Sequence, residues 1–83
     1  MEKVLISLSV PALPDQYEVF VPEDMPLGEL VPLLVEGVAS ISAGRYQSSG
    51  EEMLCDAQNG LLNRLQLTLR QCGLGNGDEL YLL

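Results

Sequence analysis

The sequence lacks histidine and tryptophan altogether, and only four of its 83 residues are basic. Without histidine, the Ser-His-Asp and Cys-His arrangements that activate a nucleophile are excluded, and the commonest metal ligand is missing. Four basic residues against twelve acidic ones give a net charge of −8, which repels phosphate backbones and anionic membrane surfaces. We therefore expect no enzyme, no cofactor, no metal site and no binding to nucleic acid.

Long apolar runs are also missing, because the longest, from Leu30 to Val35, is interrupted by Pro32 and is too short to cross a bilayer. The first residues lead directly into an alternating pattern and not into a signal peptide. We therefore expect a cytoplasmic protein with no membrane insertion, in which Cys55 and Cys72 stay reduced. A chain of this length predicts one domain over residues 1–83.

The first half of the chain predicts a hairpin followed by a helix. Along residues 4–10 and 17–21 an apolar side chain stands at every second position, which is typical of half-buried strands, and Pro11 to Asp15 supplies the turn. A helix is predicted over residues 26–42, where apolar residues recur every three or four positions. Its expected buried stripe is Leu27, Leu30, Val31, Leu34, Val38 and Ile41. Leu33 falls outside the stripe, and Pro32 removes one hydrogen bond inside the helix.

The second half predicts shorter elements. Residues 43–50 are polar and predict a mobile loop. Residues 52–57 predict a third strand, and Asn59-Gly60 predicts a tight turn before a very short strand that includes Leu61, Leu62 and Leu65.

The closing segment, residues 67–83, predicts one helical turn, a hairpin-type turn and a final strand. Thr68 is a suitable N-cap for a turn over Leu69 to Cys72, and Gly73 stands where a left-handed residue would end it. The residues from Gly75 to Asp78 tolerate positive φ, and alternation from Glu79 onward predicts a strand.

The pattern Leu-x-x-Cys-Gly-Leu-x-Asn-Gly-Asp-x-Leu-x-Leu within this segment resembles the closing segment of the YukD/EsaB family. Those are small ubiquitin-like proteins of bacterial type VII (WXG100/ESX) secretion systems, and the pattern is also similar to the ubiquitin-like domain of the EccD membrane subunit. The resemblance and the order of elements imply an α+β ubiquitin-like β-grasp: a mixed sheet of four to five strands packed on one main helix, with the first and last strands as parallel neighbours.

The resemblance implies a non-catalytic interaction module, an accessory or regulatory component of a type VII secretion system. Its implied partners are membrane or ATPase subunits of the machinery, so that the protein could lie at the inner face of the membrane through them. The chain ends at Leu82-Leu83 and not in the Gly-Gly that conjugation requires. The alternative is a ubiquitin-like modifier or sulfur carrier that acts through a processed carboxyl terminus.

Other candidate sites are weaker. Cys72, beside Gly73, is interpreted as a small apolar residue, and Cys55 lies in a strand without a nearby base. The glycines at 73, 75 and 77 precede Asp78-Glu79 and not the Lys-Ser/Thr pair of a phosphate loop, so they indicate turns.

The remaining candidate is one face of the sheet. If the alternation is assigned as above, the core takes Val4, Ile6, Leu8, Val19, Val21, Leu80 and Leu82. The opposite face then exposes four large apolar residues, Leu5, Phe20, Tyr81 and Leu83. This is more than solubility favours, and it predicts a protein-binding face that could serve a partner or self-association.

Overall fold

The computed structural model describes residues 2–11, 13–58 and 60–83, and it has five strands and one helix in that part of the chain. The elements are β1 (Lys3–Ser9), β2 (Gln16–Pro22), α1 (Leu27–Ile41), β3 (Leu54–Asp56), β4 (Gly60–Leu62) and β5 (Glu79–Leu82). The predicted Asn59-Gly60 turn involves a residue outside the described ones. Leu65, predicted in the short strand, lies beyond its end.

The five strands form one mixed sheet in the order β2-β1-β5-β3-β4. β1 pairs antiparallel with β2 and parallel with β5, while β3 is antiparallel to both β5 and β4. The first and last strands are thus adjacent in the middle of the sheet, as predicted. This is the ubiquitin-like β-grasp, and its five-stranded sheet packs against α1.

The core lies between the sheet and α1, and the alternation in β1 and β5 places its members correctly. Ile6, Leu8 and Leu80 are completely buried. One assignment was wrong. Val19 is only half-buried but packs against the core as predicted. Ile41, the last residue of α1, is 58% exposed and does not belong to the core.

The start of α1 is held by backbone and not by a side-chain cap. The N–H of Leu27 donates to the carbonyl of Leu67 at 2.8 Å, and the N–H of Gly28 donates to the carbonyl of Leu65 at 2.9 Å. A Cβ at position 28 would come within 3.3 Å of Leu65 Cβ. Glycine therefore allows the two segments to approach closely, and helix N–H groups that have no partner inside the helix are satisfied.

The single helical turn near the carboxyl end forms as its residues predict. Thr68 Oγ1 accepts the N–H of Gln71 at 3.2 Å, while Gln71 Oε1 accepts the N–H of Thr68 at 3.0 Å, which is a capping box. Gly73 has φ +78°, and the N–H of Leu74 donates back to the carbonyl of Leu69 at 2.9 Å. This bond closes a Schellman-type end that directs Leu74 into the core.

The turn from Gly75 to Asp78 is not a hairpin, because the strand after it pairs in parallel with β1. Instead, the turn docks on the backbone of β1. Asn76 Oδ1 accepts the N–H of Leu5 at 2.7 Å, and the N–H of Gly77 donates to the carbonyl of Leu5 at 2.9 Å. The turn therefore extends the hydrogen bonding of β1 to the residues that precede the start of β5.

The segment after α1, predicted as a mobile loop, is held by a network centred on Glu52. Tyr46 donates its hydroxyl to Glu52 Oε2 at 2.9 Å, and the N–H of Ser49 donates to the same oxygen at 2.7 Å. Burial alone would raise the pKa of Glu52, but hydrogen bonds from Ser48, from backbone N–H groups and from Tyr46 lower it to about 2. Burial, the bond to Glu52 and its negative charge raise the pKa of Tyr46 to about 12.

This network predicts a loss of stability in acid. The pKa of Glu52 is lower in the folded chain than its ordinary value of 4.5, so the stabilisation is complete above pH 4.5 and is lost as the pH falls towards 2. Glu52→Gln should lower the free energy of unfolding by about 1 kcal/mol at pH 7; the effect is this small because the carboxylate is only half-buried. The variant should also lose less stability than the parent when the pH falls from 5 to 2. Urea unfolding of the parent, Glu52→Gln and the exposed control Glu51→Gln at several pH values tests this. Parallel pH profiles would contradict it.

Candidate protein-binding face

The four residues predicted to form a binding face all lie on the side of the sheet opposite α1. Phe20 is 69% exposed and Leu83 is 53% exposed, whereas Leu5 and Tyr81 are half-buried by their neighbours on the sheet. Their strand neighbours in the sequence, such as Val4, Val21, Leu80 and Leu82, point into the core. Strict alternation along β1, β2 and β5 therefore places these side chains on the outer face.

The register divides the four residues into two groups. Leu5 is the direct partner of Phe20 across β1 and β2, so these two side chains are neighbours. Tyr81 is aligned with Ser9, four residues further along β1 than Leu5. That offset corresponds to about 13 Å along the strands. The face thus has one apolar group at Leu5 and Phe20 and a second at Tyr81 on β5 and Leu83, which directly follows β5.

A polar row separates the two apolar groups. Ser7 is aligned with Glu18 on β2 and with Glu79 on β5, and all three side chains point to the outer face. Both carboxylates are on exposed residues. Along the direction of β1, the outer face therefore presents first an apolar group, then an acidic row, and then the second apolar group.

Sequence reasoning missed part of the second apolar group. Across the sheet from Tyr81 lie Cys55 on β3 and then Leu61 on β4, which is 52% exposed. Met53 lies beside Leu83 and exchanges two backbone hydrogen bonds with it, at 2.9 and 3.1 Å. The register of two three-residue strands cannot be derived from the sequence. The alternation of Leu61 with its neighbours was too short to indicate a face.

The two cysteines are free and half-buried. Cys72 packs against the core beside the helical turn, as its position next to Gly73 suggested. Within residues 2–11, 13–58 and 60–83, no helix has the length and apolar character needed to cross a membrane.

Many solved structures are similar to this fold over nearly its whole length, and three of them illustrate the similarity. The EccD5 ubiquitin-like domain from Mycobacterium xenopi is 18% identical with a TM-score of 0.73, covering 100% of this chain and 94% of that one. The ubiquitin-like domain of the type VII secretion protein ECCD1 from Mycobacterium tuberculosis is 16% identical with a TM-score of 0.66, covering 100% and 99%. A ubiquitin from Caldiarchaeum subterraneum is 16% identical with a TM-score of 0.67, covering 98% and 91%.

No family model matches the sequence, and no curated protein matches it. The structural matches include domains of secretion proteins and a ubiquitin at nearly equal similarity. At these identities they define the class of fold, a ubiquitin-like domain.

Proposed function

We propose that this chain is a non-catalytic, ubiquitin-like protein-interaction module that acts as an accessory or regulatory component of a type VII secretion system. Support for the secretion setting comes from the closing segment, which resembles YukD/EsaB, and from the similarity of the fold to two EccD domains. The proposed partners are membrane or ATPase subunits of the machinery, which would hold the domain at the inner face of the membrane.

The outer face of the sheet is the proposed docking surface. The observation that supports it is the arrangement of large apolar side chains on a face that α1 leaves open, with Phe20 and Leu83 more than half exposed. Such side chains anchor interfaces because their burial removes apolar surface from water. The acidic row of Glu18 and Glu79 between the two apolar groups selects a partner with basic or hydrogen-bond donor groups at the centre of the contact.

A pull-down from cytoplasmic and membrane fractions tests this proposal. With the parent domain as bait we expect secretion-system subunits, and we expect Phe20→Asp/Tyr81→Asp to lose them, because two added carboxylates would be desolvated in the contact. The matched control is Leu65→Asp/Ser40→Asp, which adds the same charge on exposed residues away from the outer face. Circular dichroism should show that all three proteins are folded.

Three results would count against the proposal in different ways. If the parent and Phe20→Asp/Tyr81→Asp recover the secretion-system subunits equally well, the outer face is not the docking surface. If no bait recovers a secretion subunit, the proposed role in secretion is contradicted. An intact mass of the native protein that shows an adduct or a Gly-Gly extension would favour a modifier or carrier.

A further inference from the structure

An open groove lies between α1 and the segment that follows it, and its volume is about 410 Å³. One wall is a stripe of α1 residues, which are Gly28, Val31, Pro32, Val35, Glu36 and Ala39. These positions recur every three or four residues, so they form one continuous face about 16 Å long. The opposite wall contains Ser48, Gly50 and Glu52. Leu65 lies where α1 begins, because its carbonyl accepts the N–H of Gly28.

Much of the groove lining is apolar and accessible. Val35 is half-buried, and Leu65 is 52% exposed. Gly28 and Ala39 carry little or no side chain, so the groove stays open beside them. The groove can therefore cover apolar groups of a ligand, whose removal from water is favourable.

The polar groups in this lining are mainly hydrogen-bond acceptors. Two are the carboxylates of Glu36 and Glu52. A third is the carbonyl of Gly28, because Pro32 has no N–H and cannot give the bond that the residue four positions on normally donates. Glu36 is one turn beyond Pro32, and side chains on a helix lean towards its N-terminus, so the carboxylate of Glu36 extends towards the turn that contains Pro32.

The charge of the groove is negative. Among the residues that the structure describes, no basic side chain lines it. Arg45 and Arg70 are both paired with acids elsewhere, Arg45 with Asp15 at 3.7 Å. The groove thus combines acceptors, negative charge and apolar surface, which together fit a ligand that is a cation, a multiple donor and partly aliphatic.

We propose that this groove binds an arginine side chain of a partner protein, carried by an extended segment with an aliphatic residue two positions to either side. A guanidinium has several N–H donors in a planar fork and no acceptor, so it can bond a carboxylate and a backbone carbonyl together. In an extended segment the three side chains share one face and span about 13 Å, which fits the length of the groove. The groove is on the α1 side of the sheet and not on the outer sheet face, and the proposal does not depend on the proposed function.

Other occupants match the lining less well. Lysine presents its donors on one compact ammonium group, which suits a single carboxylate better than a carboxylate and a carbonyl together. A polyamine brings charge without the branched apolar side chains that would cover Val35 and Leu65. A second copy of this chain is repelled, because each molecule has a charge of −8.

The probe for this site is a fluorescein-labelled heptapeptide, Gly-Leu-Ser-Arg-Ser-Leu-Gly, with both ends blocked. We expect fluorescence anisotropy to show binding to the parent protein, and amide chemical-shift changes to concentrate in residues 28–39 and 48–52. The same peptide with citrulline in place of arginine keeps the shape of the side chain but loses its charge. It should bind about tenfold more weakly, and the lysine peptide about threefold more weakly.

Two variants test the acceptors separately. Glu36→Gln should weaken binding at least about fivefold. Its matched control is Glu18→Gln, which removes the same charge from an exposed residue of the outer sheet face and should bind like the parent. Pro32→Ala supplies the missing N–H to the carbonyl of Gly28, so it should also weaken binding about fivefold, while the unfolding temperature stays equal or rises.

Several results would overturn the proposal. Unchanged binding of the citrulline peptide, or unchanged binding by Glu36→Gln or Pro32→Ala, would show that the guanidinium does not meet these acceptors. Weaker binding by Glu18→Gln, with shift changes on the outer sheet face, would assign the peptide to that face. Spermidine or the lysine peptide binding as tightly as the arginine peptide would give the groove to another cation. A dimer that Glu36→Gln dissociates would make a second copy the occupant.

Discussion

Leu80→Ala should lower the free energy of unfolding by about 2 to 5 kcal/mol. Leu80 is completely buried on β5, where it is aligned with the equally buried Leu8 of β1. Its truncation removes apolar contacts between the central strands and leaves a cavity that the surrounding sheet cannot close. Since a domain of this size has a total stability of roughly 4 to 12 kcal/mol, this one change removes a large share of it.

Urea unfolding followed by far-ultraviolet circular dichroism measures this effect, because the chain has no tryptophan to report by fluorescence. The matched control is Leu61→Ala, the same chemical change on a strand residue that is 52% exposed. It should change stability by less than about 0.5 kcal/mol. Similar losses for the two variants would mean that the core is not centred on β5.

Gly77→Ala should lower the free energy of unfolding by about 1 to 2 kcal/mol. Gly77 has φ +87°, and a residue with a Cβ is disfavoured in this left-handed region of backbone conformation. The N–H of the same residue donates to the carbonyl of Leu5, so strain at this position also acts on the contact between the turn and β1. We therefore expect faster hydrogen exchange at the amide of Leu5, which donates to Asn76 in the same turn.

Gly75→Ala is the control for this prediction, two residues away in the same turn. Gly75 has no positive φ, and a Cβ on it would meet no atom within 4 Å. The substitution should change stability by less than about 0.5 kcal/mol, or increase it slightly by restricting the unfolded chain. Equal losses at positions 75 and 77 would show that backbone conformation is not what selects glycine at position 77.

Local features of the fold were predictable wherever neighbouring residues determine the geometry. Thr68 and Gln71 form their capping box and Gly73 takes its left-handed conformation through contacts within six residues. In the same way, alternation along β1 and β2 was enough to place Leu5 and Phe20 on one face. In each case, the information lies in a short stretch of sequence.

Features that depend on the alignment of distant strands were not predictable. The register of β1 with β5 places Ser7 beside Glu79, and this row divides the binding face into two groups. The sequence alone specifies neither this offset nor the position of Leu61 across from Cys55.

The pairing of β1 with β5 also has a consequence for how the protein is made. β1 cannot pair with β5 until residues 79–82 have left the ribosome. The pairing of these two central strands therefore closes a loop that contains almost the entire domain. Closing long loops slows folding, and a hairpin of β1 and β2 that forms before then has two unpaired edges. During synthesis, therefore, the protection of this hairpin from aggregation depends on α1, the main element able to cover its apolar side before β5 arrives.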